Sequence, residues 1–575
     1  MKIFASFPFV LHKLYAIMNS SKIIVKIEGI PLLTVNAGTI VGELYDKVPQ
    51  KGGLPPIAAL VNNDVCSMTY PLSVNCNVRF LTMADPHGWR VYRNSLCFIL
   101  AKTVKELFPD LLFSIEHSLG NGIYCSLQKD NDPNFPITND ILTSIKQNME
   151  NLINRNVPIL RHKISYTDAV KVFQNAGQYD KLNIIKFRNP PRIVIHECEG
   201  FFDFAHGPLA PSTGLLSKFT LIPYSPGFVI QFATRESPEE VALFEDQPHL
   251  FKIFQEHKEW GKILGVTTVG KLNEIIAEGQ FDNIVQIAEA LHEKKIAKIA
   301  DQIAENRRKI KCILIAGPSA SGKTTFAKRL SIQLLVNGLR PLIISTDDYF
   351  VGEEQNPKDE FGNPDYEHIE AVDIELFNRD IMKLIKGETI EKPNYNFLTK
   401  KREYHGEKIT MTEDNILIIE GIHGLNPRLT YLIPPENKFK IYVSALTQLN
   451  VDANNRISTT DNRLMRRMIR DYKFRGHSSL LTLQMWPAVR RGEKKWIFPF
   501  QKEADATFNS ALDYELAVLK PLVEPLLMQI KPDMPAYAES RRLTEFLLNF
   551  LPAQTKAIPP TSILREYIGG SLFHY

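Results

Sequence analysis

The residues CILIAGPSASGKTTF, at positions 312–326 of this 575-residue chain, carry the strongest fold signal of its C-terminal half. Its apolar start, 312–316, predicts a short buried strand, and the loop after it has the spacing G-x-x-x-x-G-K-T. A helical pattern follows from about residue 324 to residue 337, and Gly338 predicts a left-handed end to that helix. In such a loop the backbone N–H groups turn inward around phosphate oxygens at the positive end of the helix. The sequence therefore predicts a binding site for a nucleoside triphosphate.

The loop also carries the side chains that phosphate chemistry requires. Lys323 is placed to reach the β- and γ-phosphates, and the hydroxyl of Thr324 can bind Mg²⁺. We expect ATP to contact the whole loop, namely Gly317, Pro318, Ser319, Ala320, Ser321, Gly322, Lys323, Thr324 and Thr325. The expected cofactors are therefore ATP and Mg²⁺.

Further apolar runs at 342–345, 416–419 and 439–443 alternate with helical stretches, which predicts a parallel, doubly wound sheet. Two of these runs lead directly into carboxylates, Asp347 and Glu420. In a parallel sheet, the carboxyl ends of strands beside a phosphate loop face the ligand crevice. Asp347 is therefore a candidate to accept a proton from an attacking hydroxyl, and Glu420 a candidate to hold Mg²⁺. The alternative for both is a loop-capping or solvated acid.

Composition bounds the remaining function classes. At roughly 100–200 residues per domain, the length predicts about three to five domains. The 68 basic and 64 acidic residues give a net charge of +4, too small to mark a dedicated nucleic-acid-binding protein. The six cysteines lie far apart, and no apolar run reaches the ~18 residues of a membrane helix. We therefore expect a cytoplasmic protein.

Basic residues are concentrated in one segment, residues 462–496, which holds ten basic and two acidic side chains. Its apolar residues, from Leu464 to Ile469, predict a helix that packs one face while its arginines project. A solvated or salt-bridged face is the alternative. The position of this segment after the phosphate loop favours an anion site for nucleotide phosphates.

Six segments of the C-terminal half occur in a characteristic order. They are GPSASGKTT, STDDYF, YEHIEAVD, KPNYNF followed by Arg402, IIEGIHGLN and RLMRRMIRDYKFRG. In these segments the region from about 306 to 550 resembles the uridine kinase and phosphoribulokinase family. The resemblance implies that Asp347 is the general base and Glu420 the magnesium-side carboxylate.

The same resemblance implies roles for the remaining site residues. Catalytic roles fall to Asp347, Lys323, Arg467 and Arg470, and metal binding falls to Thr324 and Glu420. The acceptor would be contacted by Glu367, His368, Tyr395, Arg402 and Arg475.

Several departures from the family pattern leave the acceptor open. Lys400 stands where uridine kinases have a histidine beside the pyrimidine, and Lys401 follows it. Glu367 replaces an aspartate, Asp348 lies beside the expected base, and His477 replaces an arginine. An ammonium group in place of a neutral ring donor changes the base edge that can be paired, or favours an anionic acceptor.

The N-terminal half has a different character. Residues 21–84 alternate short apolar runs with turn signals, which predicts a small β-rich module with one helix near 41–48. Residues 85–235 mix helical and strand patterns, and 247–305 are largely helical, with apolar positions at 284, 287, 291, 296, 299 and 303. The helical part is expected to connect the two halves.

The N-terminal half also carries a resemblance. Residues 21–84 resemble the TGS domain, a β-grasp module, and 85–235 resemble the editing domain of threonyl-tRNA synthetases through HGWRVYRNSLCFILAKTVKELFP, HSLGNGIYCSL and FFDFAHGPLAPSTG. The four positions of that domain's His/Cys cluster are Asn94, Phe98, Ala205 and Leu209 here. None of these is a normal zinc ligand, so editing activity is expected to be absent. His196, Cys198 and His206 fit no common zinc spacing, and a loop or core role is expected for them.

We therefore expect a multidomain α+β and α/β protein with an N-terminal β-grasp, an α+β synthetase-like second domain and a P-loop α/β kinase with a parallel sheet. The predicted divisions are an extension at 1–20, a TGS-like domain at 21–84, a synthetase-like domain at 85–235, a helical connector at 236–305, a kinase domain at 306–550 and a tail at 551–575.

The leading functional hypothesis is ATP-dependent phosphorylation of a hydroxyl on a uridine- or cytidine-like nucleoside. A sugar-phosphate kinase and an ATP-sensing, RNA-associated regulator are the alternatives. The expected partner is a small nucleoside-like molecule, with no membrane. RNA binding by the TGS half has no support from charge, and an oligomer remains open.

Overall fold

The computed structural model describes residues 21–49, 53–129, 135–190, 192–396 and 399–574. The predicted extension at 1–20 lies outside the described residues.

The first region is a five-stranded mixed sheet. Its strands are β1 (Lys22–Ile27), β2 (Leu33–Asn36), β3 (Ala58–Val61), β4 (Asp64–Ser67) and β5 (Cys76–Leu81). The strand order is β2-β1-β5-β3-β4, and β1 and β5 pair in parallel. In β1 the residues Ile23, Val25 and Ile27 point to the core, as strict alternation requires. The helix expected near 41–48 is a 3₁₀ helix, Val41–Lys47.

The second region packs two antiparallel sheets against helices. Its elements are α1 (Pro86–Leu107), β6 (Leu111–Leu119), β7 (Gly122–Lys129), α2 (Asn139–Asn154), β8 (Leu160–Ile164), α3 (Tyr166–Asn175), α4 (Tyr179–Ile185), β9 (Ile193–Cys198), β10 (Phe201–Asp203), β11 (Phe219–Tyr224) and β12 (Gly227–Phe232). The sheet orders are β11-β12-β7-β6 and β10-β9-β8.

Three helices follow: α5 (Pro248–Leu264), α6 (Val269–Ala277) and α7 (Phe281–Glu305). The helical pattern expected here is present in α7, although two of its apolar positions are not in the core, since Ile287 is exposed and Leu291 is only half-buried. Ala288 and His292 are buried instead. A single 25-residue helix keeps one stripe at a period of 3.6 residues, and that stripe runs through 288 and 292.

The C-terminal region is built on a five-stranded, all-parallel sheet. Its elements are β13 (Cys312–Ala316), α8 (Lys323–Val336), β14 (Arg340–Ser345), α9 (Ile374–Ile385), β15 (Thr389–Asn396), β16 (Lys401–Thr410), β17 (Asn415–Glu420), β18 (Lys438–Ser444), α10 (Thr459–Phe474), α11 (Ser479–Trp496), β19 (Ala506–Asn509), α12 (Glu515–Leu527), α13 (Tyr537–Leu547) and α14 (Arg565–Ile568). The order is β14-β17-β13-β18-β19, and β15 and β16 form a separate hairpin. The predicted parallel sheet is confirmed, with β13 at its centre.

Buried ion pairs join the second region and α7 to this sheet domain. On α8, Arg329 donates to Glu289 (3.2 Å) and Glu293 (2.7 Å) of α7. The ammonium group of Lys181 is fully buried between Asp203 of the second region, at 2.8 Å, and Asp452 of the C-terminal region. Burial alone would lower the pKa of Lys181, but these two carboxylates raise it and keep the ammonium charged.

Candidate active site

The phosphate loop lies between the carboxyl end of the central strand β13 and the first turn of α8. Gly322 adopts a left-handed φ of +81°, a conformation that favours glycine. A Cβ on Gly317 would lie 2.0 Å from the carbonyl oxygen of Val443, so only glycine fits there. The loop therefore has the backbone shape that a phosphate cradle needs.

The first carboxylate at the loop is Glu420, the last residue of β17. Its Oε1 accepts hydrogen bonds from the hydroxyls of Thr324, at 3.1 Å, and Ser345, at 3.2 Å. Burial, followed by the nearby Asp347 carboxylate, raises the pKa of Glu420 to about 7, whereas Lys323 lowers it. A hydroxyl and a carboxylate held this close are the oxygen ligands that Mg²⁺ prefers. Thr324 and Glu420 therefore fit the metal role predicted for them.

The second carboxylate, Asp347, follows β14, the strand that pairs with β17. Ser345 and Glu420 are direct cross-strand partners, so the two acids leave the same edge of the sheet. The Ser345 hydroxyl also accepts the backbone N–H of Asp347, at 3.3 Å. The fold thus brings Lys323, Asp347 and Glu420 together, as the sequence predicts.

The arginines at the C-terminal end of α10 share one acid, Asp471, and Arg467 also contacts the phosphate loop. Arg467 donates to the Ser319 hydroxyl, at 2.8 Å, and to Asp471, at 3.0 Å. Arg470 donates to the other carboxylate oxygen of Asp471, at 3.2 Å, and Arg475 lies 3.9 Å from it. Burial alone would raise the pKa of Asp471, but these guanidinium groups lower it. A single buried carboxylate thus orients the three predicted arginines.

The expectation that the arginines of this helix project from a packed face is wrong for two of them. Arg463 and Arg466 are fully buried, like Leu464 and its apolar neighbours. Arg463 pairs with Glu493 of α11 and donates to the Ser319 carbonyl, and Arg466 pairs with Glu515 of α12. Much of the basic segment is therefore neutralised by structural ion pairs, which a linear charge count does not reveal.

The predicted acceptor contacts Glu367 and His368 lie next to α11. Glu367 packs so tightly that a Cβ on Gly492 would fall 2.2 Å from its own Cβ. Burial raises the pKa of Glu367 to about 7, and Arg467 and Lys323 lower it. The ring of His368 meets Trp496 edge-on at 4.4 Å. Glu367 is thus close enough to Arg467 and Lys323 to belong to the same site.

Tyr395 and Arg402 are cross-strand partners on the β15–β16 hairpin. Arg402 donates to Asp373 at 3.1 Å, and no described contact joins it to Asp347 or Glu420. The structure therefore places these two predicted acceptor contacts on the hairpin, outside the phosphate loop and its two carboxylates. Lys400, on the same hairpin, is exposed and paired with Glu353.

Comparison with known proteins identifies the domain. Residues 312–517 match the model of the Phosphoribulokinase / Uridine kinase family. Residues 312–517 form a domain of that family. Membership of a kinase family indicates that this domain is an ATP-dependent phosphotransferase.

Solved structures similar to this chain include a possible uridine kinase from Bacillus stearothermophilus, with 19% identity over 36% of this chain and 97% of that chain and a TM-score of 0.25. A second is the D-glycerate 3-kinase from Cryptococcus neoformans, with 13% identity over 44% and 87% and a TM-score of 0.21.

The N-terminal region is similar to threonine–tRNA ligases. The enzyme from Thermotoga petrophila is 32% identical over 171 residues, which are 29% of this chain and 26% of that protein. The enzyme from Desulforamulus reducens is 27% identical over 245 residues, 40% of this chain and 38% of that protein. The chain thus spans well under half the length of the curated relatives it matches.

Two acids that contact the phosphate loop from distant helices were not predicted from the sequence. Glu493 of α11 accepts the backbone N–H of Ser319 at 3.2 Å, and Glu566 of α14 accepts the Thr325 hydroxyl at 2.8 Å. Glu493 lies in the basic segment 462–496, where nothing in the sequence indicates a contact with the phosphate loop. Glu566 lies beyond the family match, and its sequence context carries no signal of the loop.

The residues of the lost cluster line a small cavity next to α1. Asn94, Phe98 and Ala205 surround about 90 Å³, and Leu209 is buried. Within the described part of the chain, no group of three His, Cys, Asp or Glu side chains could hold a metal ion. His196 is buried on β9, and neither ring nitrogen has a hydrogen-bond partner among the described residues.

A search of the described helices finds none with the length and apolar character to cross a membrane.

Proposed function

We propose that the protein transfers the γ-phosphoryl group of Mg-ATP to a hydroxyl of a uridine- or cytidine-like nucleoside, giving the nucleoside monophosphate. One observation carries the proposal. Asp347 and Glu420 leave neighbouring parallel strands beside Lys323 and Thr324, and Glu420 is buried whereas Asp347 is half-buried. Such a pair divides the work between a proton acceptor and a metal ligand.

Phosphoryl transfer needs positioning and charge neutralisation more than covalent participation by the protein. In this proposal Asp347 accepts the proton of the attacking hydroxyl. Lys323 and Arg467 neutralise charge at the phosphates, and Asp471 keeps Arg467 and Arg470 oriented. Thr324 and Glu420 would hold a Mg²⁺ ion, which would supply further charge neutralisation at the phosphates.

The acceptor would lie against Glu367, His368, Tyr395, Arg402 and Arg475. The pairing of Lys400 with Glu353 weakens the case for an anionic acceptor, because this ammonium group is already neutralised. Lys392, on β15 of the same hairpin, lies 3.9 Å from Asp348 and 3.8 Å from Glu407. A neutral nucleoside therefore fits better than a sugar phosphate.

For the N-terminal half we propose a TGS-like β-grasp domain at 21–84 and a synthetase-like domain without editing activity at 85–235. A helical connector at 236–305 and the kinase domain at 306–550 complete the proposed division. The mixed order β2-β1-β5-β3-β4 and the threonine–tRNA ligase similarity support the first two assignments. The cytoplasm is the proposed location.

The experiment is a screen of ADP release by the full-length protein with Mg-ATP and a panel of acceptors. The panel contains uridine, cytidine, purine nucleosides, ribulose 5-phosphate and glycerate. We expect a pyrimidine nucleoside to stimulate ADP release at least about tenfold, to a turnover number of roughly 1–100 per second, which is typical of kinases. Stimulation by a sugar phosphate alone, or by no acceptor, would contradict the proposal.

A further inference from the structure

A cavity lies where three regions of the described structure meet, and none of its lining residues belongs to the phosphate loop. About 490 Å³ in volume, it is lined by the β4 side of the first region, by the second region and by α13. This volume lies within the ~300–1,000 Å³ of small-molecule pockets. Part of its wall is apolar, including Val65, Val194, Phe204 and Leu548.

The polar part of the wall is strongly basic. Seven arginine and lysine side chains line the cavity, against only two acids, Asp64 and Glu545. Some of the seven are neutralised, since Arg90 and Arg542 pair with Glu539, and Arg541 pairs with Glu545.

Four cations of the wall have no ion-pair partner among the described residues: Arg161, Lys163, Arg188 and Arg192. For Arg188, one guanidinium nitrogen donates to Asn549 at 3.2 Å, while its Nε is buried without a hydrogen-bond partner. Buried polar groups are normally satisfied, so such an atom at a cavity wall points to a missing acceptor.

An adjoining smaller cavity of about 90 Å³ holds two further cations without an ion pair in the described part of the chain, and Asp203 and Asp461 also line it. Its wall holds Arg93 and Arg456, and Arg93 donates only to the amide oxygen of Asn94, at 3.1 Å. Neither guanidinium has a carboxylate within ion-pair distance in the described chain. Burial, followed by the repulsion of Arg456, lowers the pKa of Arg93 to about 9. Because neither guanidinium has a direct ion-pair partner among the described residues, a bound anion would stabilise these two neighbouring buried charges.

We propose that this cavity binds a phosphate monoester with an apolar or aromatic body of about nucleotide size. The unpaired cations would hold the phosphate through charge-assisted hydrogen bonds, and the apolar wall would cover the body. A small molecule fits better than an RNA because the basic side chains line a concave cavity that is enclosed by three regions of the chain. This site is separate from the kinase-family crevice, so it stands or fails independently of the proposed function.

The test compares the wild-type protein with Arg161→Glu/Lys163→Glu by isothermal titration of the full-length chain. Both residues are exposed on β8, so the reversal of charge should leave the fold intact. The probes are uridine 5′-monophosphate, ribose 5-phosphate, inorganic phosphate and a short single-stranded RNA. The matched control is Lys146→Glu, an exposed residue of α2 that lines neither cavity.

We expect the wild-type protein and the control to bind a phosphate monoester at this cavity, in addition to any binding at the kinase-family site. At that site the double variant should bind at least about tenfold more weakly, as expected for lost charge-assisted contacts. Acceptor-dependent ADP release should be unchanged, which separates this site from the kinase-family domain. Equal isotherms for all three proteins would overturn the proposal. It would also be overturned if only a short single-stranded RNA, and none of the monoesters, lost binding in the double variant.

Discussion

The buried pair between Arg463 and Glu493 gives the sharpest energetic prediction. Their side chains are 2% and 0% exposed, and Glu493 also accepts the Ser319 backbone N–H of the phosphate loop. The substitution Glu493→Gln removes the negative charge and leaves Arg463 buried without a counter-charge. Removal of one partner from a buried pair costs about 3–5 kcal/mol. The pair with the partly exposed Arg490 adds at most about 1 kcal/mol.

Urea unfolding followed by tryptophan fluorescence measures this effect. The guanidinium of Arg463 lies 5.4 Å from the ring centroid of Trp486, so that tryptophan reports on the pair directly. With a denaturant slope of about 1–3 kcal/mol per molar, the midpoint for the kinase-family domain should fall by roughly 1–5 M. The control, Glu150→Gln, breaks an exposed pair and should change stability by less than about 0.5 kcal/mol.

A double variant separates charge from packing. Arg463→Met/Glu493→Met removes both charges and should be more stable than Glu493→Met alone, because no buried charge is left unpaired. A Glu493→Gln protein whose free energy of unfolding lies within about 0.5 kcal/mol of the wild-type value would contradict this prediction, because a buried guanidinium without a counter-charge should destabilise the fold by more than that.

The remaining predictions concern Gly492 and Glu367. Gly492→Ala places a Cβ 2.2 Å from the Cβ of Glu367, so it should cost about 1–3 kcal/mol of stability and raise the acceptor KM, as thermal unfolding and kinetics would show. For Glu367, burial raises the folded-state pKa to about 7 from an ordinary value of 4.5. The native state therefore binds more protons between those values, and the free energy of unfolding falls as pH rises from about 4.5 to 7. Glu367→Gln should flatten this slope in urea titrations at several pH values, and an unchanged slope would show that the carboxylate is not buried as described.

The parallel sheet and the phosphate loop were predictable because their signals are local. The strand, the glycines, Lys323 and Thr324 are contiguous, and the carboxylates Asp347 and Glu420 follow strands whose apolar runs are plain. The shape of a loop that cradles phosphate is fixed by its own backbone, so no distant residue is needed to recognise it.

The acids that complete the loop were not predictable because they come from distant parts of the chain. Glu493 is 174 residues from Ser319, and Glu566 is 241 residues from Thr325. The same reason hides the burial of Arg463, because an arginine on a helix has the same sequence pattern whether water or a buried carboxylate neutralises it. The Lys181 ion pairs between the two halves likewise join residues 271 positions apart.

The most direct test of the central claim is the acceptor-dependent ADP release of Asp347→Asn, beside its neighbour Asp348→Asn as the control. If Asp347 accepts the proton of the attacking hydroxyl, its variant should lose about 10²–10⁴-fold in turnover while Mg-ATP binds with nearly the wild-type affinity. The control should keep most of its turnover, because Asp348 points to Lys392 instead. An Asp347→Asn protein with wild-type turnover would contradict the account.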